Sequence, residues 1–198
     1  MGKKIVFLGS SVTYGSAANG ISFADIICEK NGYEMIKESV SGTTLVDEDD
    51  SSYVSRLRKI KSDNADLFIC QLSTNDATKL YPFGVVSEGK DIDTFDVNTI
   101  AGAIEYIIAY ASGKWNCPIA FYTGTRYESD HYAKMVKLLI MIAEKWSIKV
   151  INLWDEPFFN DVSEDDYKRY MSDPIHPTIE GYREWWTPFI ERCIKGML

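Results

Sequence analysis

Histidine is nearly absent from this chain: His131 and His176 are the only two in 198 residues. Any chemistry that passes a proton through an imidazole must use one of them. Cysteine is sparse and scattered, at Cys28, Cys70, Cys117 and Cys193, without C-x-x-C spacing. That excludes a paired-cysteine metal site and favours reduced, mostly buried thiols over disulfides. Long apolar runs are missing too. The run at residues 5–8 is too short for the core of a signal peptide, and no stretch approaches the ~20 apolar residues of a membrane span. The expectation is a cytoplasmic protein. Positive charge is in deficit, with 21 Lys+Arg against 29 Asp+Glu and a net charge of -8. Without a basic stripe, nucleic acid is not expected as a partner, and an anionic membrane surface is disfavoured. Neither G-x-G-x-x-G nor a Gly-Lys-Ser/Thr phosphate loop is present, so a nucleotide site is not expected.

What is there is an ordinary globular composition, 45% hydrophobic and 25% charged, on a chain long enough for one well-buried core. We read residues 1–198 as a single domain. Apolar runs at 4–8, 67–72, 118–122 and 148–153 predict strands, and 33–38 predicts a shorter one. Between them, residues 21–30 predict a helix stopped by Asn31-Gly32, and 53–60 predict another. Apolar spacing at Ile100, Ala103, Ile104, Ile107 and Ile108 predicts a helix capped by Asn98. The stripe Tyr132, Met135, Val136, Leu139, Ile140 and Ala143 predicts one capped by Ser129. A last helix starts at Thr178, buries Trp185 and Trp186, and is kinked or split by Pro188. Alternating β and α segments with continuously apolar strands predict a five-stranded parallel sheet in a three-layer α/β/α fold, flavodoxin-like in type. Ligands of such sheets sit at the carboxyl ends of the strands. The irregular segments 79–96 and 155–172 are expected beside that edge.

Two motifs stand out. Gly9-Ser10-Ser11-Val12-Thr13-Tyr14-Gly15 follows the first strand, and Asp173-Pro-Ile-His176-Pro lies near the C-terminus. A hydroxyl at a strand end, an imidazole, and a carboxylate three residues before it are the parts of a serine hydrolase. Two prolines hold the backbone around His176, which suits a ring kept in one orientation. A proline-rich turn capped by Thr178 would explain the prolines and the threonine, but requires neither Asp173 nor His176. His131, at a predicted helix start, reads as a solvated residue. Gly42 in Ser-Gly-Thr and Asn75 in Ser-Thr-Asn-Asp are turn sequences in their own right, yet each can offer an N–H at a strand end. On the residues alone, either Ser10 or Ser11 can be the nucleophile.

The order and spacing of these pieces resemble the SGNH/GDSL-type hydrolases. The family's first block, Gly-Asp-Ser-Leu, matches Gly9-Ser10-Ser11-Val12. The glycine of the second block matches Gly42, and Gly-x-Asn-Asp matches Ser73-Thr74-Asn75-Asp76. The last, Asp-x-x-His, matches Asp173–His176. The resemblance implies Ser11 as nucleophile with His176 and Asp173. It also implies an oxyanion hole from the N–H groups of Ser11 and Gly42 and the Asn75 amide, with no metal or organic cofactor. Ser10 and Ser73 depart from the pattern, Ser73 at a glycine that shapes the loop.

The substrate expected is a small-molecule ester with a short acyl group, first a carbohydrate O-acetyl ester. A short-chain acyl ester, a thioester and a lysophospholipid are the alternatives, and self-association stays open. Tyr14, Tyr81, Phe83, Trp154, Phe158 and Phe159 read first as packing and second as a sugar-stacking wall. Outside enzymes, the alternative is a catalytically silent α/β binding domain using the same crevice.

Overall fold

The computed structural model describes residues 2–198. Its strands are β1 (Lys4–Gly9), β2 (Glu34–Ser39), β3 (Leu67–Gln71), β4 (Ile119–Tyr122) and β5 (Lys149–Ile151). All pair in parallel, in the order β2-β1-β3-β4-β5. The order reverses between β1 and β3, the point at whose carboxyl ends doubly wound sheets place their ligands.

Alternate residues of each strand feed two cores. Val6, Leu8, Phe68, Cys70 and Phe121 face α3 (Tyr53–Lys59), α5 (Ile100–Trp115) and α6 (Asp130–Trp146). Ile5, Phe7, Leu67, Ile69 and Tyr122 face α2 (Phe23–Asn31) and the C-terminal helices. Burial on both faces is why the central strands read as unbroken apolar runs. The edge strand β2 is only half-buried, and its sequence is correspondingly polar.

Some boundaries differ from expectation, each for a local reason. α2 begins at Phe23, because Ser22 caps it in a reciprocal box with Asp25, leaving Ile21 outside. α5 is capped by Thr99 rather than Asn98. The Asn98 N–H and amide are both spent on Asp96 Oδ1 (3.1 and 3.0 Å) in a turn before the helix. Pro188 does not split the last helix. Residues Gly181–Trp186 form a wider π-type turn that continues into α9 (Thr187–Lys195). The extra residue in that turn accommodates a proline that lacks an N–H and crowds the preceding carbonyls. Trp186 is fully buried, whereas Trp185 is half-buried.

The segment 155–172, expected to be irregular, carries α7 (Pro157–Asn160) and α8 (Glu164–Tyr170). Segment 79–96 starts at the carboxyl edge but does not stay there. It runs down the outside of α5 and α6, where Glu105 holds the Ser87 N–H (2.8 Å) and pairs with Lys145, and Lys90 lies over Trp146 at the far end of α6. A buried carboxylate cannot be left unpaired, so this clasp holds the segment against α5 and α6, away from the carboxyl edge. All four cysteines are free. Burial pushes the Cys28 thiol up to about 12, which leaves it inert. Among the described residues, no helix is long and apolar enough to cross a membrane.

Candidate active site

β1 ends at Gly9, and Ser10 leads into α1 (Ser11–Tyr14), a single turn stopped by Gly15 in the left-handed conformation. Gly9 has to be glycine, because a Cβ there would overlap the Thr13 hydroxyl and the Gln71 amide. Gln71, the last residue of β3, gathers the turn on one oxygen. Its Oε1 accepts from Ser10 N (3.0 Å), Thr13 N (3.2 Å) and Thr13 Oγ1 (2.8 Å). Tyr122 at the end of β4 reaches the same oxygen at 3.2 Å. Arg56 braces the other side, donating to the carbonyls of Gly9 (2.8 Å), Glu38 (2.8 Å) and Ser51 (2.8 Å). It also donates to the Thr43 hydroxyl at 3.0 Å.

This scaffold distinguishes the two serines. Ser10 is fully buried, with its Oγ turned inward. Ser11 Oγ lies 2.7 Å from His176 Nε2. The other ring nitrogen, Nδ1, is 2.7 Å from Asp173 Oδ2. Asp173 Oδ1 meanwhile accepts the N–H groups of Ile175 (2.7 Å) and His176 (2.9 Å). Partial burial pushes the Asp173 carboxyl up. The Ile175 N–H, the His176 ring and the His176 N–H together outweigh that and hold it below the usual carboxylate range. A charged Asp173 that accepts from Nδ1–H fixes the tautomer in which Nε2 is free to accept a proton from Ser11.

Gly42 follows β2 with φ +82°, a backbone region that favours glycine, and a Cβ there would meet nothing within 4 Å. The conformation, not space, is what calls for glycine. Neither the Ser11 nor the Gly42 N–H has an acceptor among the described residues. Asn75 is the second residue of α4 (Thr74–Thr78), and its Nδ2 donates to Thr43 O at 2.8 Å. One of its two amide hydrogens remains. Gly42 and Asn75 are thereby joined in one hydrogen-bonded unit. Ser73, in place of the glycine of the related block, does not disturb this loop. Its φ of -71° needs no glycine, and its Oγ caps α4 by accepting from Asn75 N (3.2 Å) and Asp76 N (3.4 Å).

The sequence reading missed three positioning residues: Gln71, Arg56 and Asp76. Asp76 is fully buried and accepts Leu45 N (2.8 Å) and Val46 N (3.0 Å), so it anchors the segment that follows Gly42. Burial pushes its carboxyl up to about 6 despite those donors. Gln71 carried a signal, as the lone polar side chain inside the apolar run at 67–72. Arg56 carried none, because a lysine- and arginine-rich helix is usually solvated.

His131 is not solvated as expected. It stacks on Phe83 at 4.3 Å, its Nε2 is 3.1 Å from Tyr81 O, and it has no contact with the Ser11 group. Trp154 and Phe159 are buried packing residues, while Tyr14 and Phe158 are exposed. Among the described residues, no cluster of His, Cys, Asp or Glu could hold a metal ion. What the assembled groups can do is generate a nucleophilic hydroxyl beside several N–H groups able to receive an oxyanion.

The profile of the GDSL-like lipase/acylhydrolase family matches residues 7–184, and the chain belongs to that family. Solved structures agree in fold. A member of the lipolytic protein G-D-S-L family from Veillonella parvula is 17% identical with a TM-score of 0.70, covering 98% of both chains. A protein from Lactobacillus plantarum is 16% identical, with a TM-score of 0.82 over 99% of this chain and 98% of that one. A family two carbohydrate esterase from Clostridium thermocellum, solved with cellohexaose, is 14% identical with a TM-score of 0.64, covering 99% of this chain and 65% of that one. No curated protein matches the sequence.

Proposed function

We propose that this member of the acylhydrolase family is a serine esterase that cleaves small acyl esters through an acyl-enzyme. The observation that carries the reading is the continuous relay from Ser11 Oγ to His176 Nε2 and from His176 Nδ1 to Asp173 Oδ2, 2.7 Å at each step. His176 takes the proton of Ser11 as its oxygen attacks the acyl carbon. The tetrahedral oxyanion is received by the N–H groups of Ser11 and Gly42 and the remaining amide hydrogen of Asn75. His176 then protonates the leaving alcohol, and water repeats the sequence to release the acid and restore Ser11.

Within this reading the first substrate class is a carbohydrate O-acetyl ester. Among the described residues no large lid is inserted between the elements of the α/β fold, and one fold neighbour is a carbohydrate esterase. Fluorophosphonate labelling together with turnover of p-nitrophenyl acetate, butyrate and octanoate tests the reading. Wild type should be labelled at Ser11 and prefer acetate, and Ser11→Ala should lose both labelling and turnover. Labelling that persists in Ser11→Ala would move the nucleophile elsewhere. A wild type that is neither labelled nor active would return the chain to the silent binding domain.

A further inference from the structure

The site is assembled from two pieces that are anchored differently. The Ser11 turn is held by the sheet, through Gln71 at the end of β3, and by Arg56 on the Gly9 carbonyl. The loop of Asp173 and His176 is held by α8 instead. Thr178 N donates to Tyr170 O (2.8 Å), Thr178 Oγ1 to Arg169 O (2.8 Å), and Met171 forms an antiparallel bridge with Pro177. α8 has no buried residue, so it does not by itself fix where the imidazole stands relative to the sheet. Ile175 and Ile179 pack against the core shared with α2, but apolar packing is non-directional.

Among the described residues, only two hydrogen bonds join residues 9–15 to residues 172–198. One is that between Ser11 Oγ and His176 Nε2. The other runs from Tyr182 Oη to the Val12 carbonyl, at 2.7 Å. α1 is a single turn, and the end of a helix leaves carbonyls without a helical donor. Val12 is buried, and its carbonyl receives no backbone N–H among the described residues. A buried carbonyl needs a partner, and Tyr182 supplies the missing donor.

Tyr182 can hold a position because it is itself held on several sides. Its ring is buried and packs against Phe23 (6.5 Å) and Trp186 (5.9 Å). Its backbone lies shortly after His176, in the π-type turn, where Tyr182 N donates to Thr178 O (3.0 Å). Gly181 beside it approaches α8 so closely that a Cβ there would overlap the Tyr170 carbonyl. Burial, with the Asp25 charge adding to it, pushes the Tyr182 phenol well above its ordinary value, so the hydroxyl stays a donor. A fixed ring on the element that follows His176 therefore grips the carbonyl next to the nucleophile.

We propose that Tyr182 is a positioning residue whose hydroxyl, by holding the Val12 carbonyl, sets the contact between Ser11 and His176. The inference rests on the serine esterase reading and deepens it. Tyr182→Phe removes the hydroxyl and keeps the ring, so the core around it stays filled. With two histidines in the chain, nitrogen-15 labelling of histidine makes the His176 ring directly readable by NMR. Ser11→Ala defines the Nε2 shift of a ring that has lost its serine. In Tyr182→Phe, at equal pH, Nε2 should move at least halfway to that value. Nδ1 should stay, because its Asp173 partner lies in the same loop. On p-nitrophenyl acetate kcat should fall roughly 10–10²-fold with KM little changed, the effect of a misplaced attacking atom. Replacing Tyr182 by 4-aminophenylalanine keeps a donor and should return both readouts toward wild type. Ile190→Val, in the same core, lowers stability without touching the turn and should leave both readouts unchanged. An unmoved Nε2 or an unchanged kcat in Tyr182→Phe overturns the proposal. So does an amine variant that behaves like Tyr182→Phe, an Ile190→Val chain that matches it, or a Ser11→Ala chain whose Nε2 does not move. A wild type that turns over no ester fails the esterase reading instead, and the Nε2 shifts alone then still judge whether Tyr182 sets the contact.

Discussion

Two aspartates in this protein do the same local job with opposite electrostatics. Asp76 and Asp173 each accept a pair of consecutive backbone N–H groups, those of Leu45 and Val46 in one case and of Ile175 and His176 in the other. Asp76 is fully buried, and burial wins, raising its carboxyl to about 6. The Asp173 side chain is 48% exposed. Water and donors win there, and the carboxyl lies below its usual range. Asp76 is thus a fixed clamp that holds the Gly42 segment in register. Asp173 keeps its charge for His176, and the charge costs little because solvent still reaches it. The buried wall supplies geometry, and the half-exposed loop supplies the hydrogen-bonded Asp173–His176 pair on which the proposed proton relay rests.

The sharpest way to break this contrast is Asp173→Asn. On the proposed mechanism it should lower kcat roughly 10²–10⁴-fold, by favouring the wrong His176 tautomer. The urea midpoint should barely move, because the side chain is half in water. A large loss of stability with unchanged kcat would reverse the assignment of the two aspartates. Asn75→Ala probes the wall itself. If the amide receives the oxyanion, kcat on p-nitrophenyl acetate should fall roughly 10²–10³-fold with KM little changed. An unaltered kcat would reduce Asn75 to a tie between α4 and Thr43.

The smallest effect is the pH dependence of stability. Asp76 has a folded pKa above its unfolded value. Its contribution is therefore complete below about pH 3.8 and is lost as pH rises through about 6, by at most about 3 kcal/mol. Asp173 has the opposite sign, since its contribution is present above the ordinary carboxylate value and is lost as pH falls below it. Urea denaturation of wild type and Asp76→Asn between pH 4 and pH 7 should show a decline in the wild type that the variant lacks. Parallel curves would mean that Asp76 is not the titrating group.

Much of this arrangement was legible in the residues, and the exceptions share a cause. Strand cores such as residues 67–72 and helix stripes such as that of α6 are written in apolar periodicity, which survives any detail of packing. The Asp173-Pro-Ile-His176 turn was legible because its partners are neighbours in the chain. The cap of α5 was misplaced by one residue, because Asn98 and Thr99 are both good caps and only Asp96 decided between them. His131 was misread because Phe83, on which it stacks, lies far away in sequence. Gln71 and Arg56 went unassigned for the same reason, since what they hold lies on other elements.

By itself, then, the sequence determined the α/β alternation, the parallel sheet and the residue types available for chemistry at its carboxyl edge. These follow from local periodicity and from motifs whose parts are adjacent. Only the tertiary structure decided which serine meets the imidazole, that Ser73 serves as a cap, and that Asp76 is a buried clamp while Asp173 stays half in water. Those outcomes depend on which distant groups the folded chain brings within hydrogen-bond reach and on how much water it leaves beside them. Neither quantity is a property of any short stretch of residues.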